Sequence, residues 1–244
     1  MSKKLILGSG GIFWDNPDDP ILEHIYSLID DKTAPRLVYL PTAGRDNPND
    51  ESEVNDWAAR HGFAEVTHLY LSKVPYSHAF LEKTILGASM IYCCGGNLKF
   101  LLHHWRRTGV DKLLRRAYDN GVVVGGQSSG AMCFCAHGYD NCGPGGAYMF
   151  LDTLGFVPYI LCPHFEDWPE FLEDVKKQEY DAIGLDNDII FSIVDGRFTI
   201  VDSHRNPRHT AYWMPADEVF KSHNLYREPQ YLDAMAFDTE GAAR

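Results

Sequence analysis

The chain has 244 residues, 45% of them hydrophobic and 23% charged, which suffices for a hydrophobic core that needs no disulfide support. Its formal net charge of −12 excludes a nucleic-acid backbone as partner, and no apolar run reaches the roughly eighteen residues that a membrane span needs. Six cysteines (Cys93, Cys94, Cys133, Cys135, Cys142 and Cys162) form no CxxC pair, so they read as small buried thiols of a reducing compartment and not as zinc ligands.

The opening MSKKLILGSGGIF has an apolar stretch too short for a secretion signal and runs straight into a strand. That strand is Lys4 to Gly8, ending in Gly8-Ser9-Gly10-Gly11. In Pro20 to Ile29, the residues Ile21, Leu22, Ile25, Leu28 and Ile29 fall at helical spacing. Arg36 to Leu40 is a strand stopped by Pro41. Val54 to His61 is a helix closed by Gly62, and Ala64 to Leu71 alternates as a strand. Ala88 to Cys94 is a buried run ending at Gly95-Gly96-Asn97. Leu98, Leu101, Leu102 and Trp105 then form one helical stripe, interrupted by Gly109. A second short helix carries Leu113, Leu114 and Ala117 and stops at Asn120-Gly121. Val122 to Val124 is the next strand.

This alternation predicts an α/β fold: a mainly parallel sheet with helices on both faces and active-site residues at the carboxyl ends of its strands. Those ends are GSGG, PTAG, CGGN and GGQSSG. In the last third, Asp167 to Tyr180 reads as a helix that Asp167, at the N-cap, and Glu166 cap. Asp188 to Val194 and Arg197 to Asp202 flank Asp195-Gly196, a strong hairpin signal, placing antiparallel strands at the sheet edge. One domain over residues 1–244 is expected, with residues 238–244 as a frayed tail.

Gly126-Gln127-Ser128-Ser129-Gly130 fits G-x-S-x-G after an apolar strand. Such a stretch is either a tight turn or a nucleophile held at a strand-to-helix bend, with glycines removing side chains that would collide. In the second reading Ser128 is exposed at the bend and needs a base. Of eleven histidines, His24, His103 and His104 lie on predicted helices, and His68 and His78 lie far from the predicted carboxyl edge. His164 follows the apolar run LGFVPYILCP just before the predicted helix and so stands at that edge. His204 and His209 are the next choice.

With GGN after a strand, G-x-S-x-G about thirty residues on, and LGFVPYILCPHF after that, the chain resembles the dipeptidase E and cyanophycinase group of serine peptidases over roughly residues 4 to 202. The resemblance implies a flavodoxin-like sheet related to the class I glutamine amidotransferases, with serine at the elbow. It implies Ser128 as nucleophile, His164 as general base, and the Gly96 and Ser129 N–H groups as the oxyanion hole. In that group an acid follows the histidine in G-[LI]-x-E-G. Here the matching stretch is Gly184-Leu185-Asp186-Asn187-Asp188, with Asn187 at the acidic position and Asp186 and Asp188 one residue to either side. Candidate substrate contacts are Gly95, Asn97, Gln127 and Arg205, with Arg45 and Arg208 as further cations for an acidic side chain.

The expected protein is therefore a cytoplasmic serine-type amide hydrolase acting on a small peptide, with no metal or cofactor, no membrane or nucleic-acid partner, and room for a homodimer. Two other readings compete. One is a binding or regulatory relative impaired at Asn187. The other is an α/β-hydrolase esterase, whose order of residues requires Asp140 or Asp152 beside the histidine. A dinucleotide site at Gly8-Ser9-Gly10-Gly11 fails, because Phe13 stands where a third glycine belongs.

Overall fold

The computed structural model describes every residue except 12, 13, 15, 17, 168–170, 204, 217–221 and 240–244. The first half of the chain alternates strands and helices: β1 (Lys4–Gly8), α1 (Pro20–Ser27), β2 (Arg36–Leu40), α2 (Glu51–Arg60), β3 (Glu65–His68), α3 (His78–Leu86), β4 (Met90–Cys93), α4 (Leu98–Thr108), α5 (Val110–Asp119), β5 (Val123–Gln127) and α6 (Ser129–Met132). The second half is richer in strands: β6 (His137–Asp140), β7 (Met149–Asp152), β8 (Ile160–Pro163), α7 (Phe171–Val175), β9 (Ala182–Leu185), β10 (Ile189–Val194), β11 (Arg197–Asp202), β12 (Ala211–Met214), β13 (His223–Asn224) and α8 (Tyr231–Ala234).

The seven-stranded sheet has the order β11-β10-β1-β5-β4-β2-β3. Strands β1, β5, β4, β2 and β3 are parallel, as the alternating pattern predicts, and the apolar residues of β1, β5, β4 and β2 are buried on both faces. The hairpin β10–β11 joins antiparallel against β1, at the edge expected from Asp195-Gly196. Both turn residues take positive φ (49° and 78°), the conformation that a two-residue hairpin requires.

A second sheet, order β13-β12-β9-β8-β6-β7, is not foreseen in the sequence. Its strands β6 (HGYD) and β7 (MFLD) are four residues each and lack a clear period of two, so pairing and not local pattern makes them strands. Within it β6, β8 and β9 are parallel, with Pro163 opposite Leu185. The residues after those two strands therefore emerge side by side. One buried cluster spans Leu5, Trp105, Leu161, Ile183 and Met235, so both sheets pack on a common core.

The helix expected over Asp167 to Tyr180 is shorter. A 3₁₀ turn, Phe165–Asp167, is followed after the undescribed residues 168–170 by the five-residue α7. Of the expected frayed tail, Asp238 and Thr239 are described, and the Thr239 carbonyl accepts from Lys3 Nζ at 3.1 Å. Residues 240–244 lie outside the described residues.

Candidate active site

Strand β5 ends in the bend that the glycines foretold. Ser128 has φ 52° and ψ −124°, a strained geometry for a residue with a side chain. Two backbone bonds hold it there, its N–H donating to the carbonyls of Gly8 (2.9 Å) and Ser9 (2.8 Å) at the end of β1. The flanking glycines are required by close approach. A Cβ on Gly126 would lie 2.4 Å from the Cys93 carbonyl oxygen, and one on Gly130 would meet the Cys93 and Cys94 oxygens at 2.4 and 2.5 Å. Strand β4 thus runs against the elbow, and the chain after it passes Ser128 directly: a Cβ on Gly95 would stand 3.0 Å from the Ser128 Cβ.

Gly96 follows with φ 144°, where an added Cβ would overlap the Ala43 carbonyl. Its own carbonyl accepts from the Ser129 hydroxyl at 2.8 Å, which ties the glycine loop to the first residue of α6. Ser129 opens that helix, so its N–H has no partner within the helix. The two N–H groups expected to form an oxyanion hole thus belong to loops clamped together beside Ser128.

The second sheet supplies the imidazole. His164 directly follows β8, also at positive φ (55°). Its Nε2 lies 3.1 Å from the Ser128 Oγ and its Nδ1 lies 2.7 Å from the Asn187 Oδ1. Asn187 comes just after β9, so the parallel pairing of β8 with β9 sets histidine and amide next to each other. Ser128, His164 and Asn187 are all half-buried.

Of the three candidates for the third position, only Asn187 reaches the imidazole. Asp188 turns away to Arg205 Nη1 (3.4 Å) and His209 Nδ1 (3.5 Å). Asp186 is 5% exposed and accepts from the Thr210 N–H at 2.9 Å. Burial, then the negative charge of Glu166, pushes its carboxyl up to about 6, against the lowering effect of the Thr210 N–H and His209.

Three residues of the site are not legible in the sequence. Ser9 Oγ accepts from the His164 N–H (2.7 Å) and donates to the Leu185 carbonyl (2.9 Å), stapling the ends of β1, β8 and β9. Gly10 is required because a Cβ there would sit 2.5 Å from both Asn187 Oδ1 and His164 Cε1. The glycine-rich end of β1 thus makes room for the imidazole and its partner. Glu166 is the third. The expectation that it caps a helix is corrected: its carboxylate accepts from the Asn187 backbone N–H (3.1 Å to each oxygen) and from Asn187 Nδ2 (2.5 Å).

The other named residues have these places. Gln127 precedes the elbow and accepts from the Tyr92 hydroxyl at 3.4 Å. Asn97 caps α4, its Oδ1 accepting from the Phe100 N–H at 2.7 Å. Arg205 bonds the Gly11 carbonyl and the fully buried Asp19. With Arg208 and Arg227 it lines a cavity of about 610 Å³ that does not include Ser128 or His164. Arg45 stacks over the Phe100 ring, 4.9 Å from its centroid. His204 lies outside the described residues. The order needed for an esterase is absent, since Asp140 accepts from the Leu98 N–H (2.8 Å) and Asp152 pairs with His137 (3.0 Å). Among the described residues no cluster of three metal-ligating side chains occurs, and no helix is long and apolar enough to cross a membrane.

The sequence profile of peptidase family S51 matches residues 5–201, most of the chain, including Ser9, Gly10, Ser128, His164, Glu166 and Asn187. The chain belongs to peptidase family S51. It is a serine-type peptidase. Among curated relatives, the uncharacterized peptidase YgaJ of Bacillus subtilis (strain 168) is 35% identical over 169 residues, 67% of this chain and 69% of that one. The uncharacterized peptidase PM1590 of Pasteurella multocida (strain Pm70) is 27% identical over 152 residues, 58% of this chain and 70% of that one. Two solved structures share the fold. A peptidase from an acI-B1 Actinobacterium gives a TM-score of 0.71 at 18% identity, over 92% of this chain and 94% of that one. A putative peptidase E from Listeria monocytogenes EGD-e gives 0.62 at 19% identity, over 83% of this chain and 99% of that one. At such identities these two speak for the fold.

Proposed function

We propose that the protein hydrolyses small peptides of the dipeptidase E kind through an acyl-enzyme on Ser128. His164 Nε2 takes the Ser128 proton as Oγ attacks the scissile carbonyl. The oxygen of the tetrahedral intermediate is received by the N–H groups of Gly96 and Ser129. His164 then gives its proton to the leaving amine, and the C–N bond breaks to leave an ester on Ser128. Water attacks that ester with His164 again as base, releasing the acid product and the serine. Asn187 holds the imidazole with Nδ1–H toward its carbonyl, which leaves the Nε2 lone pair toward Ser128.

The observation that carries this reading is the continuous chain from Ser128 Oγ to His164 to Asn187, at a serine in strained elbow geometry. Gly95 and Gln127 flank the nucleophile as substrate contacts, whereas Asn97 and Arg205 hold the loops on either side. The cysteines are unpaired and all but Cys142 are buried, which supports a cytoplasmic setting. The reading as an impaired, non-catalytic relative is disfavoured because the amide at position 187 orients the imidazole as a carboxylate would. A dipeptide-library hydrolysis screen with Ser128→Ala as control tests the proposal. Turnover of a subset of dipeptides that vanishes in the variant supports it, and equal turnover by both proteins refutes it.

A further inference from the structure

We propose that Glu166 is the positioning carboxylate of this site, fixing the Asn187 amide with its oxygen toward His164 and supplying, one residue further out, the negative charge that an acid at position 187 would have supplied. The inference rests on the serine-peptidase reading above.

An asparagine beside the imidazole is ambiguous in its orientation. An amide has a donating end and an accepting end of nearly equal size, and either could face the imidazole. If the nitrogen faced it, Nδ1 would have to accept, Nε2 would carry the hydrogen, and no lone pair would remain for the Ser128 proton. An asparagine here works only if something selects one orientation. Glu166 does so, because an ionised carboxylate can only accept. Its two oxygens take the Asn187 backbone N–H at 3.1 Å each, and Oε1 also takes Nδ2 at 2.5 Å. The amide nitrogen is thereby committed to Glu166. The oxygen is left 2.7 Å from His164 Nδ1, and Nε2 faces Ser128 at 3.1 Å as an acceptor. Four side chains are joined in one polarised series in which every donor and acceptor role follows from the carboxylate at its end.

The same contacts bring negative charge to the site. When His164 takes the serine proton it becomes a cation, and an amide stabilises that cation less than a carboxylate does. The Glu166 side chain is 26% exposed, and His209 Nε2 lies 4.0 Å from its Oε1. Every contact from Asn187 to Glu166 is a donor to it, so the carboxylate lies along the polarised Asn187 amide. Its place in the sequence agrees with this job, since it sits two residues after His164 on the 3₁₀ turn Phe165–Asp167 that brings it back over the end of β9.

The test is an exchange of charge between positions 166 and 187. Glu166→Gln keeps an oxygen for the Asn187 donors and removes the charge, so kcat on a dipeptide substrate falls about 10-fold with KM unchanged. Glu166→Ala removes the orientation too, and kcat falls at least about 100-fold, in the range that the wrong imidazole tautomer causes elsewhere. Asn187→Asp alone sets two carboxylates against each other and also lowers kcat. In the double variant Asn187→Asp/Glu166→Gln the carboxylate faces His164 directly and the glutamine nitrogen donates to it, so kcat returns to within about 10-fold of the natural protein.

A double variant no faster than the slower single variant, or a Glu166→Ala protein within about 3-fold of full kcat, overturns the proposal. Ser128→Ala measured alongside separates the two levels. Activity surviving there removes the serine reading itself. An inactive Ser128→Ala beside fully active Glu166 variants removes only the role of Glu166.

Discussion

Gly10→Ala changes one hydrogen for a methyl group and touches no group that reacts, yet it should disable the site. The added Cβ falls 2.5 Å from His164 Cε1 and from Asn187 Oδ1, whereas an ordinary contact begins near 3.4 Å. The imidazole and the amide must together retreat by most of an ångström. Gly10 is not at positive φ, so its own backbone accepts alanine, and the strain falls on the side chains opposite. Moving Nε2 by that distance stretches its 3.1 Å separation from Ser128 beyond hydrogen-bond reach. A misplacement of about 1 Å costs on the order of 100-fold in rate, or about 2.7 kcal/mol. The assay is kcat/KM on a responsive dipeptide, paired with thermal unfolding to confirm that the folded protein is being measured. A folded Gly10→Ala protein within about 3-fold of full kcat/KM would show that the ring position is not what Gly10 protects, and would refute the reasoning.

Two further changes read out the surroundings. Ser9→Ala removes the hydroxyl that serves both the His164 N–H and the Leu185 carbonyl. Stability should fall by about 2 kcal/mol in urea unfolding, and kcat should fall with it, because two buried backbone groups lose their partner. Asp186→Asn tests the raised carboxyl. In the folded protein Asp186 holds its proton up to about 6, while in the unfolded chain it releases it near 3.8. The folded state thus binds more protons between those values, and the natural protein loses stability as pH rises through that window. The asparagine variant has no such loss. It should be more stable by about 1–3 kcal/mol above pH 6 and show no such gain below about pH 4, as followed by urea midpoints across that range. A difference that does not change with pH would contradict the assignment.

How much of this was legible in the sequence differs by element. The parallel sheet and the elbow were readable because their signals are local: apolar runs bounded by glycine, and G-x-S-x-G directly after a strand. His164 was readable for the same reason, as a polar residue ending an apolar run. Asn187 could be aligned only to within one residue, and what decides among Asp186, Asn187 and Asp188 is the pleat of β9 together with the parallel pairing that sets Pro163 opposite Leu185. The second sheet escaped because β6 and β7 gain their conformation from neighbours far along the chain. Glu166 was misread as a helix cap because an acid before an apolar helical pattern is usually one. Its actual partner lies 21 residues away, in the turn after β9, a contact that no local pattern encodes. Gly10 looked like part of a failed nucleotide loop, since the collision that a side chain would cause there is with residues from the other sheet.

The central claim is that Ser128 is the nucleophile and carries the acyl group. Peptide mapping by mass spectrometry after treatment with a fluorophosphonate tests it most directly. The account predicts one label per chain, located on Ser128, with loss of dipeptide hydrolysis in step with labelling and no label in the Ser128→Ala variant. Labelling of another residue, or full hydrolysis by an unlabelled protein, would contradict it.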